Sequence, residues 1–406
     1  MRLVYPVTWA RPSRRACEEQ TIATVAALAR RGHEVTLLAP RGPSDPALTP
    51  EDLRAWFGVD GEFRLVQRAS RWAGESVARS LLWLRQALRE PPVREAEILL
   101  SRIPAMLALG GVSPVPFVTD HYRRWPDDLP AIRPLLRRTA RHRDCLGFVL
   151  HSELAAASFR RAGVADDCIL VARNGADVAR FDIGLDSNEA RRRLGLPADR
   201  AIAVYAGRIN AGKGLDQLLA LADLRPEVLF LLVGSEGRDP IEQDAAARAN
   251  VRVLPWATPD VLPAWLLAAD VLLIPPSLAP LERFRNAVLP LKLFAYLAAG
   301  RPILAPDTPD IGELLAHECN ALLVVPDRPA AAAAALDRLL GDPGLAHGLG
   351  EGARRTAMEL SWDARAERIT HFLEERLAQR SLNSRIVSAP SVKITGAVQA
   401  PTIGGR

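Results

Sequence analysis

The feature that most constrains this chain is a rhythm of strand-length apolar runs separated by amphipathic stretches, which runs once from the N-terminus and begins again near residue 201. In the first half the runs are Leu3–Val7, Val35–Ala39, Ile98–Leu100, Pro116–Thr119 and Gly147–Leu150. Between the first two, residues 15–31 place Ile22, Val25 and Leu28 at helical spacing, and Gly32 can end that helix. In the second half the runs cover 201–206, 228–233, 251–254, 271–274, 303–305 and 322–325, enough for a six-stranded sheet. Apolar runs of this kind, spaced by helices, fit strands of a parallel sheet covered on both faces. The expected fold is therefore α/β, with two Rossmann-like domains in tandem, and 406 residues are enough to build both. The polar stretch 177–199 interrupts the rhythm and reads as a linker. The expected division is a domain at 1–176, a second at 177–380 that includes a long terminal helix, and a disordered tail at 381–406, rich in Ser, Gly, Pro and Thr.

Several function classes are disfavoured. No apolar run approaches the roughly 20 residues that span a bilayer, and the start reads as a strand with no signal-peptide pattern, so a cytoplasmic location is expected. Cys17, Cys145, Cys168 and Cys319 form no C-x-x-C pair, which argues against a zinc or redox motif, and no metal is expected. No G-x-G-x-x-G follows the first strand, as a nicotinamide dehydrogenase would require. The net charge of +5 is all that favours nucleic acid, and no nucleic-acid partner is expected. Of the 52 Lys and Arg residues only Lys213, Lys292 and Lys393 are lysine, which makes the lysine positions informative.

The segment richest in chemistry is Ala206-Gly207-Arg208-Ile209-Asn210-Ala211-Gly212-Lys213-Gly214, which follows a strand and opens a helix. Glycines let the backbone approach a ligand, the helix N-terminus favours an anion, and two cations a short loop apart suit a pyrophosphate. A second helix starts near Pro290, leaving the N–H groups of Leu291 and Lys292 free to face a phosphate. After the first strand, the loop 8–15 carries Arg11, Arg14 and Arg15, which can hold an anionic acceptor or simply be solvated. His121, in Thr119-Asp120-His121-Tyr122, closes another predicted strand. Two basic amphipathic stretches, 79–85 and 133–143, suit either an anionic membrane surface or a half-buried helix.

The 206–214 segment resembles the G-R-x-x-x-x-K-G loop of the GT-B glycosyltransferases, in particular the retaining family 4. Other stretches agree in order: Asn174-Gly175-Ala176-Asp177 with Phe181, the strand end Leu231–Gly237, Ala269-Asp270-Val271 with Pro276-Ser277, and Leu291–Pro302. The match is firm over 174–326 and weak before it. The resemblance implies GT-B architecture, two domains facing across a cleft, and retaining transfer of a hexosyl group from a nucleoside-diphosphate sugar without a metal or other cofactor. The implied acceptor is a hydroxyl of a glycan or lipid-linked molecule in surface glycan or glycolipid synthesis, with peripheral contact at the inner membrane face. Carried over residue by residue, His121, Arg208 and Lys213 are the implied catalytic groups. Gly207, Gly214, Gly234, Pro290, Leu291 and Lys292 join Arg208 and Lys213 around the donor; Arg11, Arg14 and Arg15 are the acceptor contacts expected from the basic charge of their own loop, which does not keep the family's pattern. Two departures stand out. The family's paired glutamates, spaced E-x7-E, fall on Ala287 and Ala295, with Glu282 nearby at the wrong spacing, and the first loop lacks the family's glycines. A protein that keeps the fold as a binding scaffold is the alternative these departures favour. A nucleotide-sugar epimerase would need acidic and histidine groups around the donor that the sequence does not display.

Overall fold

The structure is a computed structural model that describes residues 1–74, 76–237, 239–282 and 289–388. Seven strands form the first sheet: β1 (Arg2–Pro6), β2 (Glu34–Arg41), β3 (Arg64–Ala69), β4 (Ile98–Ser101), β5 (Phe117–His121), β6 (Cys145–Leu150) and β7 (Ile169–Val171), in the order β3-β2-β1-β4-β5-β6-β7. Six form the second: β8 (Ile202–Ala206), β9 (Leu229–Ser235), β10 (Val251–Pro255), β11 (Val271–Leu273), β12 (Ile303–Pro306) and β13 (Leu322–Val324), in the order β10-β9-β8-β11-β12-β13. Every pairing is parallel. Both sheets reverse their direction of growth at the first strand of the domain, between β1 and β4 and between β8 and β11. Open α/β sheets take ligands in the crevice outside the carboxyl ends of strands at such a reversal.

Alternate residues of β1 feed two cores. Leu3 and Tyr5 pack on one face of the sheet, and Val4 packs on the other with Leu38, Trp83 and Leu99. All are at most 2% exposed, which is why this strand reads as continuously apolar. Each such side chain contributes about 1.5–3 kcal/mol relative to its exposed state.

The observed α/β fold with two Rossmann-like sheets is the expected one, and the six expected strands of the second sheet are present. Two strands of the first sheet, β3 and β7, were not anticipated. Both lie at sheet edges. β3 carries Arg64, Gln67 and Arg68 between its apolar residues, and β7 has three residues, so neither shows the signature of a buried strand.

The stretch 177–199 is not a free linker. It contains the helix Ser187–Leu194, in which Ala190 is fully buried in the second core and Arg191 donates to the Ala268 carbonyl at 3.0 Å and to Asp270 at 2.6 Å. The terminal helix also departs from expectation. It runs from Trp362 to Ser388, through the first residues of the expected tail, because no Pro or Gly interrupts it before Pro390. It also leaves the second domain. Ala366, Ile369, Phe372 and Leu373 pack in the first domain with Leu3, Ile22 and Val25. Residues 389–406 lie outside the described residues.

The chain therefore crosses between domains twice, and the crossings lie side by side. Ala176 and Ser361 form a parallel bridge, and the Ala176 N–H donates to the Leu360 carbonyl. The domains also touch where Gly58 meets Pro259: a Cβ on Gly58 would lie 2.7 Å from that of Pro259, and Arg180 donates to the Gly58 carbonyl at 2.7 Å.

A cationic cradle at the end of β8

β8 ends at Ala206, and the chain turns through Gly207, whose N–H donates to the Val233 carbonyl at 2.8 Å. Gly207 has φ +142°, and a Cβ there would sit 2.6 Å from the Lys292 ammonium. Gly234, at φ +131°, lies directly against the Gly207 carbonyl, so backbone blocks a side chain there, while at Gly207 the positive φ strains any side chain and displaces the Lys292 ammonium. The following residues form a short 3-10 turn, Ala211–Lys213, closed by the Asn210 side chain accepting from the Gly212 N–H at 3.0 Å. Gly214, left-handed at φ +68°, then opens the helix Leu215–Leu224.

Lys292 arrives from the helix Leu291–Ala299. Tyr296 anchors that helix by accepting the Ala206 N–H at 2.6 Å on its hydroxyl. The Lys292 Nζ lies 3.6 Å from the centroid of the Tyr205 ring, a close cation–π contact. Pro290 is not the first helical residue as expected. Its ψ of 136° makes it the N-cap, and its carbonyl accepts from Leu293 at 2.9 Å. Leu291 and Lys292 are then the first two helical positions, whose N–H groups have no acceptor inside the helix.

Burial, reinforced by Arg208, pushes the Lys213 ammonium below its ordinary pKa. Burial and then Lys213 hold Lys292 well below its own. Among the described residues no carboxylate lies within ion-pair distance of either lysine, and Arg208 has only Glu236 at 3.9 Å. Converging, desolvated cations without counter-charge are costly, and an anion placed among them relieves that cost.

The first domain supplies the facing wall. Pro12, Ser13, Arg14, Arg15 and Trp56 line a cleft of about 550 Å³ with Arg208 and Glu236. Glu18 fixes the turn by accepting from the Ser13 N–H and hydroxyl at 2.6 and 2.9 Å. Arg14 stacks at 4.7 Å over Trp256, which lies 6.3 Å from Trp56 with the rings inclined by 21°. Of the three arginines expected here, Arg14 and Arg15 reach the cleft. Arg11 does not: it is paired with Asp45 at 2.7 Å and bonded to the Ser44 carbonyl.

His121 is 1% exposed, with its ring 5.7 Å from Phe159 and its Nε2 unpartnered. Burial pushes its imidazole down to about 4, so it is neutral at pH 7. His121 is not among the residues that line the cleft, and the adjacent Asp120 is the centre of a buried polar cluster. It binds His151 at 2.6 Å, Arg365 at 3.1 Å and the Tyr5 hydroxyl at 3.2 Å. Burial would raise its carboxyl, but His151 and Arg365 outweigh that and hold it well below the usual range. Of the E-x7-E positions, Ala287 lies outside the described residues, and Ala295 is partly buried against the second core. Glu282 lines a different part of the cleft with Arg124, Asp127 and Asp128. The amphipathic helix Val77–Ala87 is half-buried, with Trp83 and Leu84 in the core and Val77, Leu81 and Leu82 exposed. No described helix is long and apolar enough to cross a membrane.

Trp56, Trp256, Tyr205 and Glu236 were not picked out as site residues from the sequence. For Tyr205, Glu236 and Trp256 the signal was an aromatic or acidic residue at a strand end; Trp56 lies inside the helix Pro50–Phe57 and carried no such signal.

Comparisons with known proteins bear on the family and the fold. Residues 18–180 match Glycosyltransferase Family 4, and residues 186–356 match Glycosyl transferases group 1. The D-inositol 3-phosphate glycosyltransferase of Jonesia denitrificans is 31% identical over 228 residues, 52% of this chain and 52% of that protein. The chain thus spans about half the length of the curated relatives it matches. Among solved structures, HepE of Anabaena in complex with UDP and glucose shares 17% identity at a TM-score of 0.65, covering 92% of this chain and 99% of that one. Sucrose-phosphate synthase of Thermosynechococcus elongatus shares 20% at 0.69, covering 93% and 99%. At these identities the structural likeness establishes the fold. With successive family matches across both halves and this architecture, the chain belongs to the GT-B glycosyltransferases of group 1 and family 4.

Proposed function

We propose that this protein transfers a hexosyl group, with retention, from a nucleoside-diphosphate sugar to a hydroxyl acceptor. The observation that carries the proposal is the convergence of Arg208, Lys213 and Lys292 around Gly207, with no carboxylate partner for either lysine among the described residues. Transfer leaves a nucleoside diphosphate whose new charge needs fixed cations, and these three groups supply it from the protein, so the proposed chemistry uses no metal. The likeness to a structure solved with UDP and glucose supports a uridine nucleotide. The relatives named for inositol 3-phosphate, together with Arg14 and Arg15, support an acceptor bearing a phosphate. Val77, Leu81 and Leu82 beside Arg79 and Arg85 fit peripheral contact with an anionic membrane and a lipid-linked or surface-glycan acceptor.

The test is a thermal-shift panel of UDP-, GDP-, ADP- and TDP-sugars, followed by product analysis by NMR for anomeric configuration. A shift with one nucleotide class that Lys213→Ala abolishes is expected. An unchanged shift in that variant contradicts the assignment.

A second reading rests on Ala295. A methyl group there cannot accept from a ribose hydroxyl, which favours a scaffold that binds a nucleotide or glycan without turnover. Tight nucleotide binding with neither transfer nor donor hydrolysis would select it.

A further inference from the structure

We propose that Glu313 is a positioning residue that latches the two domains together and sets the width of the cleft. Glu313 ends the 3-10 turn Ile311–Glu313 that follows β12 in the second domain. Its carboxylate leaves that domain and caps a first-domain helix, Glu153–Arg161. One oxygen accepts from the Glu153 N–H and the other from the Leu154 N–H, each at 2.8 Å. Those are the first two helical amides, which have no acceptor within their own helix. Ser152 satisfies the third, accepting from Ala155 at 3.1 Å. A carboxylate at this end also meets the positive pole of the helix. The Glu313 side chain is 9% exposed and lies 3.4 Å from the Arg173 guanidinium, so the contact is charge-assisted and largely dry.

The surroundings make this more than a surface pairing. Arg173 belongs to the segment in which the chain first crosses between domains, and Arg365, just past the second crossing, donates to its carbonyl at 3.3 Å. The helix that Glu313 caps is entered through His151, the partner of Asp120 on β5. A displacement of the second domain is thus felt through two backbone amides, one turn of helix and His151 at the strand end that carries Asp120 and His121. Another domain contact, Arg14 and Trp56 against Trp256, lies beside β2 and β10, at the opposite flank of both sheets, near the Gly58–Pro259 contact. With the aromatic contact on one flank and the Glu313 latch on the other, the cradle at β8 lies between two fixed points. The effect on turnover rests on the proposed transferase function, whereas the effect on domain closure does not.

The test uses the full chain. Residue-resolved hydrogen exchange is expected to show the Glu153 and Leu154 amides protected in the wild type. In Glu313→Ala they should exchange at least tenfold faster, while the Ser152-capped Ala155 amide changes less. Solution scattering should give a larger radius of gyration for the variant. If Glu313→Ala does not fold, Glu313→Gln, which keeps one acceptor oxygen, should show an intermediate loss of protection. In turnover with the donor identified by the nucleotide panel, Glu313→Ala should lower kcat severalfold and leave nucleotide affinity within twofold, with partial rescue by Glu313→Gln. Free-helix-end exchange of both amides in the wild type would overturn the latch, as would unchanged exchange and scattering in the variant. Faster exchange with unchanged kcat would overturn the positioning role. A wild type that shows no transfer bears on the proposed function alone, because exchange and scattering still decide the latch.

Discussion

The loops that leave β1 and β8 hold equivalent places, each at the carboxyl end of the first strand of its domain and beside the reversal of its sheet, yet they are built for different tasks. The β8 loop has glycines at Gly207 and Gly214 with positive φ, and Gly234 presses on it from β9. Its lysines have no carboxylate partners among the described residues. The β1 loop has no glycine, and its cations are engaged: Arg11 with Asp45, Arg14 with Trp256. Basic charge alone therefore does not make the proposed diphosphate site. The backbone must also come close and leave the charges uncompensated.

That contrast can be broken most strongly by removing two cations of the β8 loop. Arg208→Ala combined with Lys213→Ala deletes two charge-assisted contacts worth about 1.5–3 kcal/mol each, and calorimetry should find nucleotide binding undetectable. Next comes Gly207→Ala, which drives a methyl into Lys292 and imposes a left-handed φ at about 1–3 kcal/mol. Denaturant midpoints and nucleotide affinity should both fall, whereas alanine at Arg14 should leave both nearly unchanged. Acid should separate the domains. His121 in the first domain is held neutral by burial, at about 4, below the ordinary histidine value. Its folded pKa lies below the unfolded one, so its contribution to stability is greatest above about pH 6.5. It falls as the unfolded chain takes up a proton toward pH 4, by about 1.4 kcal/mol per pH unit. Denaturant melts of the first domain between pH 7 and 4 check this. Arg14→Ala should raise the KM for a phosphorylated acceptor by a factor on the order of two to five with little effect on the donor, as expected of a single exposed charge contact. Smallest of all, Arg11→Ala should change stability by no more than about 1 kcal/mol and leave turnover intact, as expected of an exposed ion pair.

The same contrast explains what the sequence could disclose. The β8 loop was legible because strand, glycines, cations and helix follow one another within a dozen residues, so the local order of residue types already states the geometry. The central strands were legible because burial on both faces leaves an unbroken apolar run. Edge strands β3 and β7 were not, since one side of an edge strand need not be apolar. Nor were the Trp56–Trp256 stack and the Glu313 cap, whose partners lie about 200 and 160 residues apart and carry no shared local signal. The expected reach of Arg11 failed for a similar reason: Asp45, its partner, comes from the loop after a different strand.

The docking of the Trp362–Ser388 helix beneath β1 has a consequence for biosynthesis. The second domain is in effect an insertion within the first, whose hydrophobic interior stays unfinished until Ala366, Ile369 and Phe372 have left the ribosome. The domain with the cationic cradle can close its interior from one continuous stretch. The first domain must wait until the Trp362–Ser388 helix has been translated, with Leu3, Ile22 and Val25 open to solvent or chaperone meanwhile.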